Sequence, residues 1–412
     1  MINPGNGMQM RKNNIHTLFS CIKENEPLSK RELQEMTNMS WGVISTISSM
    51  LCDNRYVVPV GKQNTSVGRK PCELDINPNY NYIIGIDLNI SYLCGVVTDL
   101  KGRIVQEWIR YFTYNTYDYV MNLLLSLLDE ITKKYENREI VGIGLAMQGL
   151  VDIEQGVSIR LPQVRDWKDV PLRNILEERY QYPVLMMHDP YCIMTAEKAF
   201  GASSMRIANH AILLRIDNGI GMSMLINGQI YTGSDGKAGE FGHVSINRNG
   251  PLCVCGKRGC IEEYASCSGL LRQFTEQVNA GRRTSVAMES TGMNFQTLVA
   301  GARNKDALCS EIFSQMGENL GFSLAMVINI LAPDLVVLYG GLTEYRDLYY
   351  EKLCEHLDCY LYKGISAKVQ FSELGKNAAA QGVTLAVSER AIIGFVDELA
   401  RKSSAENENM YA

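Results

Sequence analysis

The chain has 412 residues, is 46% apolar and carries a net charge of −5, which is room for two or three domains around a substantial core and weighs against nucleic acid as a partner of the whole surface. No apolar run near the N-terminus resembles a secretion signal, and the most hydrophobic stretch, Phe322 to Tyr339, is broken by Asn329, Pro333 and Asp334, so a cytoplasmic protein with reduced cysteines and no membrane partner is expected. The charge is uneven, however: residues 1–77 hold nine Lys or Arg against seven Asp or Glu, while the remainder holds 31 against 38.

The mildly basic head, residues 1–77, reads as three short helices and a hairpin. Ile15, Leu18, Phe19 and Ile22 make one apolar face from about Arg11 to Glu24, and Pro27 ends that helix. Ser29-Lys30-Arg31-Glu32 has the form of a capping box for a second helix running to about Met36. Ser40 can cap a third, in which Val43, Ile44, Ile47, Met50 and Leu51 form the buried stripe and Trp41, Ser45, Thr46, Ser48 and Ser49 face outward. Small hydroxyl side chains let such a helix approach base edges in a major groove. Tyr56 to Val60 and Cys72 to Ile76 then read as two strands of a wing, whose loop offers Lys62, Arg69 and Lys70 to a minor groove. A winged helix-turn-helix binding double-stranded operator DNA is expected, with Ser40, Trp41, Ser45, Thr46, Ser49, Lys62, Arg69 and Lys70 as candidate contacts. The competing reading is a three-helix dimerisation or peptide-binding module.

From residue 78 the pattern becomes α/β. Strands are expected at Tyr82–Leu88, Leu93–Thr98, Arg103–Ile109 and Ile140–Ala146, with a helix from about Tyr117 to Tyr135. His188-Asp189 sits at the carboxyl end of a short strand, Pro183–Met187, where ligands gather in such sheets. Ala211–Ile216 and Gly221–Asn227 read as a hairpin turned by Asn227-Gly228. Leu335–Leu338 leads into Gly340-Gly341, and an alanine-rich helix from Asn377 is expected to pack back on the first lobe. The anticipated domains are 1–77, a first lobe 78–200 joined by helix 376–400, and a second lobe 201–375.

Within the second lobe, Ala238 to Tyr264 holds His243, Cys253, Cys255 and Cys260, with Gly250, Gly256 and Gly259 between them. Three thiols and an imidazole this close suit a closed, structural Cys3His zinc site, the glycines letting the loop bend back. Unlinked polar residues, or a disulfide, are the bland alternatives. Glu240, Glu262 and Glu263 lie in the same stretch, and carboxylates held rigidly by such a loop would make good acceptors for sugar hydroxyls.

The order G-I-D at Gly85, M-Q-G-L-V-D at Met147 to Asp152, H-D at His188, then G-E-F-G-H and C-x-C-G-x-x-G-C-x-E, resembles the ROK family of repressors and sugar kinases over nearly the whole chain. With its winged head the chain looks like the xylose-type or N-acetylglucosamine-type repressor branch. The resemblance implies two actin-like (ribonuclease H-like) lobes closing over a cleft. It also implies zinc on His243, Cys253, Cys255 and Cys260, and sugar contacts from Gly149, His188, Asp189, Glu240, His243 and Glu262. Asp189 stands where family kinases keep their general base.

Family kinases wrap ATP phosphates with two glycine loops. Here the first reads Asp87-Leu88-Asn89-Ile90-Ser91, and Ile90 resists the positive φ that glycine supplies. The second reads Asp217-Asn218-Gly219-Ile220-Gly221, with a carboxylate where phosphate would approach. The expectation is therefore a repressor released from its operator by a monosaccharide in the interlobe cleft, acting as a homodimer or homotetramer and not as an enzyme. The alternative is an ATP-dependent sugar kinase with an attached DNA-binding head.

Overall fold

The computed structural model describes residues 4–25, 27–61, 72–112, 116–161, 164–234, 236–286 and 294–410. Lys62, Arg69 and Lys70 of the anticipated wing lie outside them. The chain divides into two compact units, Met1–Cys192 with Asn377–Ala412, and Ile193–Lys376.

The first unit opens with helix α1 (Pro4–Glu24), which begins earlier than its apolar periodicity and buries Ile15, Leu18, Phe19 and Ile22 completely. A short strand β1 (Leu28–Ser29) leads into α2 (Lys30–Thr37). The capping box is complete: the amide of Glu32 donates to Ser29 Oγ (3.3 Å), and the Ser29 amide donates to Glu32 Oε2 (2.8 Å). Asn38 ends α2 in the left-handed region at φ 55°, a conformation asparagine accepts more readily than most residues. Ser40 then caps α3 (Trp41–Asp53) through the Val43 amide. Ile44, Ile47 and Leu51 are buried, whereas Val43 and Met50 are only half-buried. Ser48, expected on the outer face, is 1% exposed; it lies four residues after Ile44 and three before Leu51, on the buried stripe itself. Strands β2 (Val57–Val60) and β3 (Glu73–Ile76) pair antiparallel, and β1 adds to β3 to give the order β1-β3-β2.

A second sheet follows in the same unit. Strands β4 (Tyr82–Leu88), β5 (Tyr92–Thr98) and β6 (Ile104–Tyr111) form an antiparallel meander. Helix α4 (Tyr117–Lys134), capped by Thr116, returns the chain to β7 (Ile140–Met147), which pairs parallel with β4. Its apolar positions 120, 121, 124, 127, 128 and 131 are all buried, the spacing of one helical face. A small hairpin, β8 (Leu150–Asp152) and β9 (Val157–Arg160), and helix α5 (Leu172–Tyr180) precede β10 (Val184–His188), parallel to β7. The strand order is β10-β7-β4-β5-β6. Helix α6 (Asp189–Phe200) starts directly at the end of β10, and the division between units falls within it.

The second unit continues with α7 (Ser203–Ile207) and a meander of β11 (Ala211–Ile216), β12 (Ile220–Ile226) and β13 (Gln229–Ile230). The turn between β11 and β12 is Asp217–Gly219. Asn227-Gly228, expected there, instead joins β12 to β13, with φ of 53° and 74°. That pair fits the tightest hairpin turn, and the periodic pattern alone did not say which two strands it serves. Helices α8 (Glu262–Ala265), α9 (Cys267–Asn279), α10 (Phe295–Arg303) and α11 (Ala307–Leu331) lead to β14 (Leu335–Tyr339), then α12 (Tyr350–Tyr360) and β15 (Lys368–Phe371). The order β13-β12-β11-β14-β15 places three antiparallel strands beside two parallel ones, the same plan as the first lobe.

The last helix, α13 (Ala378–Met410), returns to the first unit and covers β4, β5, β7 and β10. Glycines make room for it: a Cβ on Gly85 would overlap the Ala380 carbonyl, and one on Gly144 would stand 2.8 Å from Val383. Its segment Ala378–Leu399 is long and apolar enough to cross a membrane by composition, yet half of it is buried. Its buried apolar side chains, among them Val387, Ile392, Val396 and Leu399, face the sheet and the head.

Candidate functional site

The stretch with the three cysteines folds into a knuckle in the second unit. Gly256 (φ 87°) and Gly259 (φ 69°) take left-handed turns, and the Cys253 amide donates to the Lys257 carbonyl at 2.8 Å while the Gly256 amide donates to the Cys253 carbonyl at 2.9 Å. Gly250 acts through space and not through φ, since a Cβ there would stand 2.8 Å from the Gly259 Cα. The loop's outer strands are tied by isolated bridges Ser245–Cys260 and Leu252–Arg258. One ligand atom from each of His243, Cys253, Cys255 and Cys260 lies within 4.8 Å of the others. His243 Nδ1 is 3.6 Å from Cys253 Sγ, and Cys255 Sγ is 3.6 Å from Cys260 Sγ. Donors about 2.0–2.3 Å from one zinc ion would stand roughly 3.5–3.8 Å apart at tetrahedral corners, so the set fits the metal.

A second set, Cys253, Glu262 and Glu263, also meets within that span. Both carboxylates have other partners: Glu262 Oε2 accepts the Ile220 amide at 2.9 Å, and Glu263 pairs with Arg272. The softer set of three thiols and an imidazole is the better metal site. Without a metal, burial pushes the Cys253 thiol up to about 12, so a bound cation would have to supply the field that ionises it.

Of the expected sugar contacts, Glu240, His243 and Glu262 belong to this unit. Glu240 is exposed and immediately precedes a short 3-10 turn, Phe241–His243. With Nδ1 facing Cys253, His243 keeps Nε2 for another partner. Glu262 opens α8; burial raises its carboxyl above the usual range, against the lowering effect of the Ile220 amide and His243. Gly219 lets this carboxylate come close, since a Cβ would stand 2.8 Å from Glu262 Oε2 and push the side chain aside.

The other three expected contacts belong to the first unit. Parallel pairing sets the carboxyl ends of β4, β7 and β10 side by side, with Leu88 and His188 both opposite Met147. Gly149 follows β7 with φ 80°, His188 is half-buried against the Tyr191 ring (5.8 Å), and Asp189 is 6% exposed. Asp87, 1% exposed, joins them at the end of β4.

Both glycine loops are closed by the chain's own groups. In the β4–β5 turn no residue takes a positive φ. Instead Asn89 Oδ1 accepts the Ser91 amide at 3.0 Å, and the Asn89 amide donates to the Tyr92 carbonyl. Ile90 is thus accommodated by a different turn and not strained. In the β11–β12 turn Glu262 takes the Ile220 amide, and Asp217 Oδ2 stands 3.5 Å from Nη2 of the buried Arg215. The part played by Arg215 was missed in the sequence, where a lone arginine inside an apolar strand was the available signal.

On the head, Trp41 (54% exposed), Thr46 and Ser49 face solvent. Ser40 is committed to the cap, and Ser45 Oγ accepts Lys30 Nζ at 3.4 Å.

The profile described as "ROK family" matches residues 83–390. A "Xylose repressor" of Bacillus spizizenii is 29% identical over 384 residues, 92% of this chain and 96% of that protein. An "N-acetylglucosamine repressor" of Escherichia coli O6:H1 is 26% identical over 344 residues, 82% and 83% of the two. Among solved structures, a ROK family transcriptional regulator described as a homolog of the E. coli MLC protein superposes with a TM-score of 0.79 at 23% identity, covering 95% of this chain and 99% of that one.

Proposed function

Because the chain belongs to the ROK family, we propose that it is a sugar-responsive transcriptional repressor: α3 and the wing bind operator DNA, and a monosaccharide releases it. The observation that carries this reading is the pairing of a capped helix-turn-helix, whose third helix shows Trp41, Thr46 and Ser49 to solvent, with a ROK family domain over residues 83–390. Operator contacts come from Ser40, Trp41, Ser45, Thr46 and Ser49, joined by Lys62, Arg69 and Lys70 of the wing. Sugar hydroxyls are read by Gly149, His188, Asp189, Glu240, His243 and Glu262. Carboxylates and imidazoles suit this task because each hydroxyl offers one donor and two acceptor sites. The zinc, held by His243, Cys253, Cys255 and Cys260, is structural: it fixes the knuckle from which Glu240, His243 and Glu262 project. The protein acts in the cytoplasm as a homodimer or homotetramer on its operator.

Kinase activity is not part of this reading. Phosphoryl transfer needs amides free to wrap phosphate and cations to neutralise it. Two such amides, those of Ser91 and Ile220, are taken by Asn89 and Glu262, and Asp217 adds negative charge beside Arg215. Asp189 then serves as a hydrogen-bond acceptor for the sugar and not as a general base. The test is a mobility-shift titration on the DNA upstream of its own gene, with D-xylose, N-acetylglucosamine and a wider sugar panel, beside a coupled ADP-release assay. At least one sugar should release the DNA, and ADP release should stay at background. Turnover of roughly 1 per second or more on any hexose or pentose would overturn the non-enzyme reading, and DNA binding indifferent to every sugar would overturn the sensor.

A further inference from the structure

The head does not hang from a free linker. Its core is continuous with the first lobe: Ile15, Leu18, Phe19, Ile22, Ile44 and Leu51 share one buried cluster with Ile83 and Leu100 and with Val387, Ile392, Val396 and Leu399 of α13. Polar contacts run along the same seam. Lys12 pairs with Asp397 (2.8 Å), His16 and Lys23 both reach Glu389 (3.3 and 3.2 Å), and the Tyr56 and Phe395 rings stack at 4.4 Å. The β5–β6 turn, Asp99–Gly102, adds a latch. Lys101, its side chain only 7% exposed, bonds Asp75 Oδ1 of β3 at 2.5 Å and the Asn25 carbonyl at 2.6 Å. The same turn is tied to α13, since Ser388 Oγ donates to the Leu100 carbonyl (2.6 Å) and Gln381 Nε2 to the Gly102 carbonyl (2.9 Å).

At its other end α13 reaches the ligand-reading residues. Gly382 lies so close to the Cys192 carbonyl that a Cβ would overlap it, and Cys192 is in the first turn of α6, which Asp189 opens. We propose that α13 is the beam that carries ligand binding to the DNA-reading head, with Lys101 as the positioning residue that latches the head to it. This rests on the function proposed above and names how that site is regulated. Close packing gives the beam its stiffness: a shift of the α6 first turn cannot be absorbed at Gly382, where no slack exists, and must move α13 as a body. The head follows because its own core is built partly from that helix. Cutting the latch leaves Asp75 buried without its principal cation, which loosens β3 against the lobe.

The test uses the full chain and two variants, Lys101→Met and the uncharged Ser388→Ala. Amide hydrogen exchange should speed up by about tenfold or more in residues 12–24 and 73–76 of Lys101→Met, and by about threefold in Ser388→Ala, with β4 and β7 unchanged. On the upstream DNA, the ratio of affinities without and with D-xylose or N-acetylglucosamine should fall by about tenfold in Lys101→Met. Unchanged exchange in both variants overturns the proposal, as does faster exchange with an unchanged ratio. If Lys101→Met does not fold, Ser388→Ala carries the same two readings. A wild-type protein that binds DNA and ignores sugar removes the sensor function instead, and the exchange data then still decide whether Lys101 latches the head.

Discussion

The two five-stranded sheets share one plan, a three-stranded meander with two parallel strands along one side, yet their surroundings differ. The first is backed by a helix from the far end of the chain, seated on Gly85 and Gly144. The second is backed by helices of its own, with Gly317 and Gly321 letting α11 and α12 approach. The turn at the start of each sheet shows the same contrast in finer detail: Asn89 closes the first with its own side chain, whereas the second is filled from elsewhere in the unit by Glu262. One plan thus supports two specialisations, a lobe built around a mount for the head and a lobe built around a knuckle of three cysteines and a histidine that could hold a metal. Where a sheet is covered, small residues record what covers it; where a turn is filled, the filling side chain need not be near it in sequence.

The strongest way to break this contrast is at the knuckle. Cys253→Ser or Cys260→Ser should abolish one equivalent of zinc per chain and lower the unfolding temperature of the second unit by on the order of 10 °C; elemental analysis and calorimetry check it, and a full-strength unfolding transition without metal would leave the knuckle unexplained. Next come the glycines, which separate space from conformation. Gly85→Ala should cost about 2–3 kcal/mol, since its Cβ meets the Ala380 carbonyl. Gly256→Ala, which faces open space at φ 87°, should cost only about 1 kcal/mol. Urea unfolding of the two variants compares them directly, and equal losses would show that the seat of α13 is looser than drawn.

The smallest effect lies in the head. The Ser29 amide and hydroxyl hold the Glu32 carboxyl below its ordinary value. A carboxyl depressed by folding contributes stability above its unfolded pKa, and that contribution is lost as pH falls through the folded one. The pH dependence of α2 helicity should therefore weaken in Glu32→Gln below the ordinary glutamate range, and Ser29→Ala should cost about 1 kcal/mol at neutral pH. Circular dichroism of the full chain across that range measures both.

Much of this was legible in the residues because the signals were local. Ser29 and Glu32 are three apart, the buried face of α4 repeats within one helix, and His243 and the cysteines fall within a single loop. What escaped was non-local. Strand β1 has only two residues and exists because β3 offers an edge to it. Arg215 looks misplaced until Asp217 is seen beside it, and the apolar positions of α13 from Val387 to Leu399 make sense only with the head packed against them. Asn227-Gly228 announced a turn truthfully but not its strands, because hairpin chemistry fixes geometry and not partnership. Ser48 was a different miss: its spacing from Ile44 and Leu51 places it on the buried face, and its hydroxyl drew an outward assignment that the periodicity did not support.

Trp41 stands at the start of α3 with half its surface in water, while Trp167 is buried with its indole nitrogen donating to Ser158 and Trp108 is half-covered. The chain therefore carries a built-in optical label at the face it would present to a duplex. Occupation of that face would register as a change in emission without any dye, at the one indole whose surroundings would have to change.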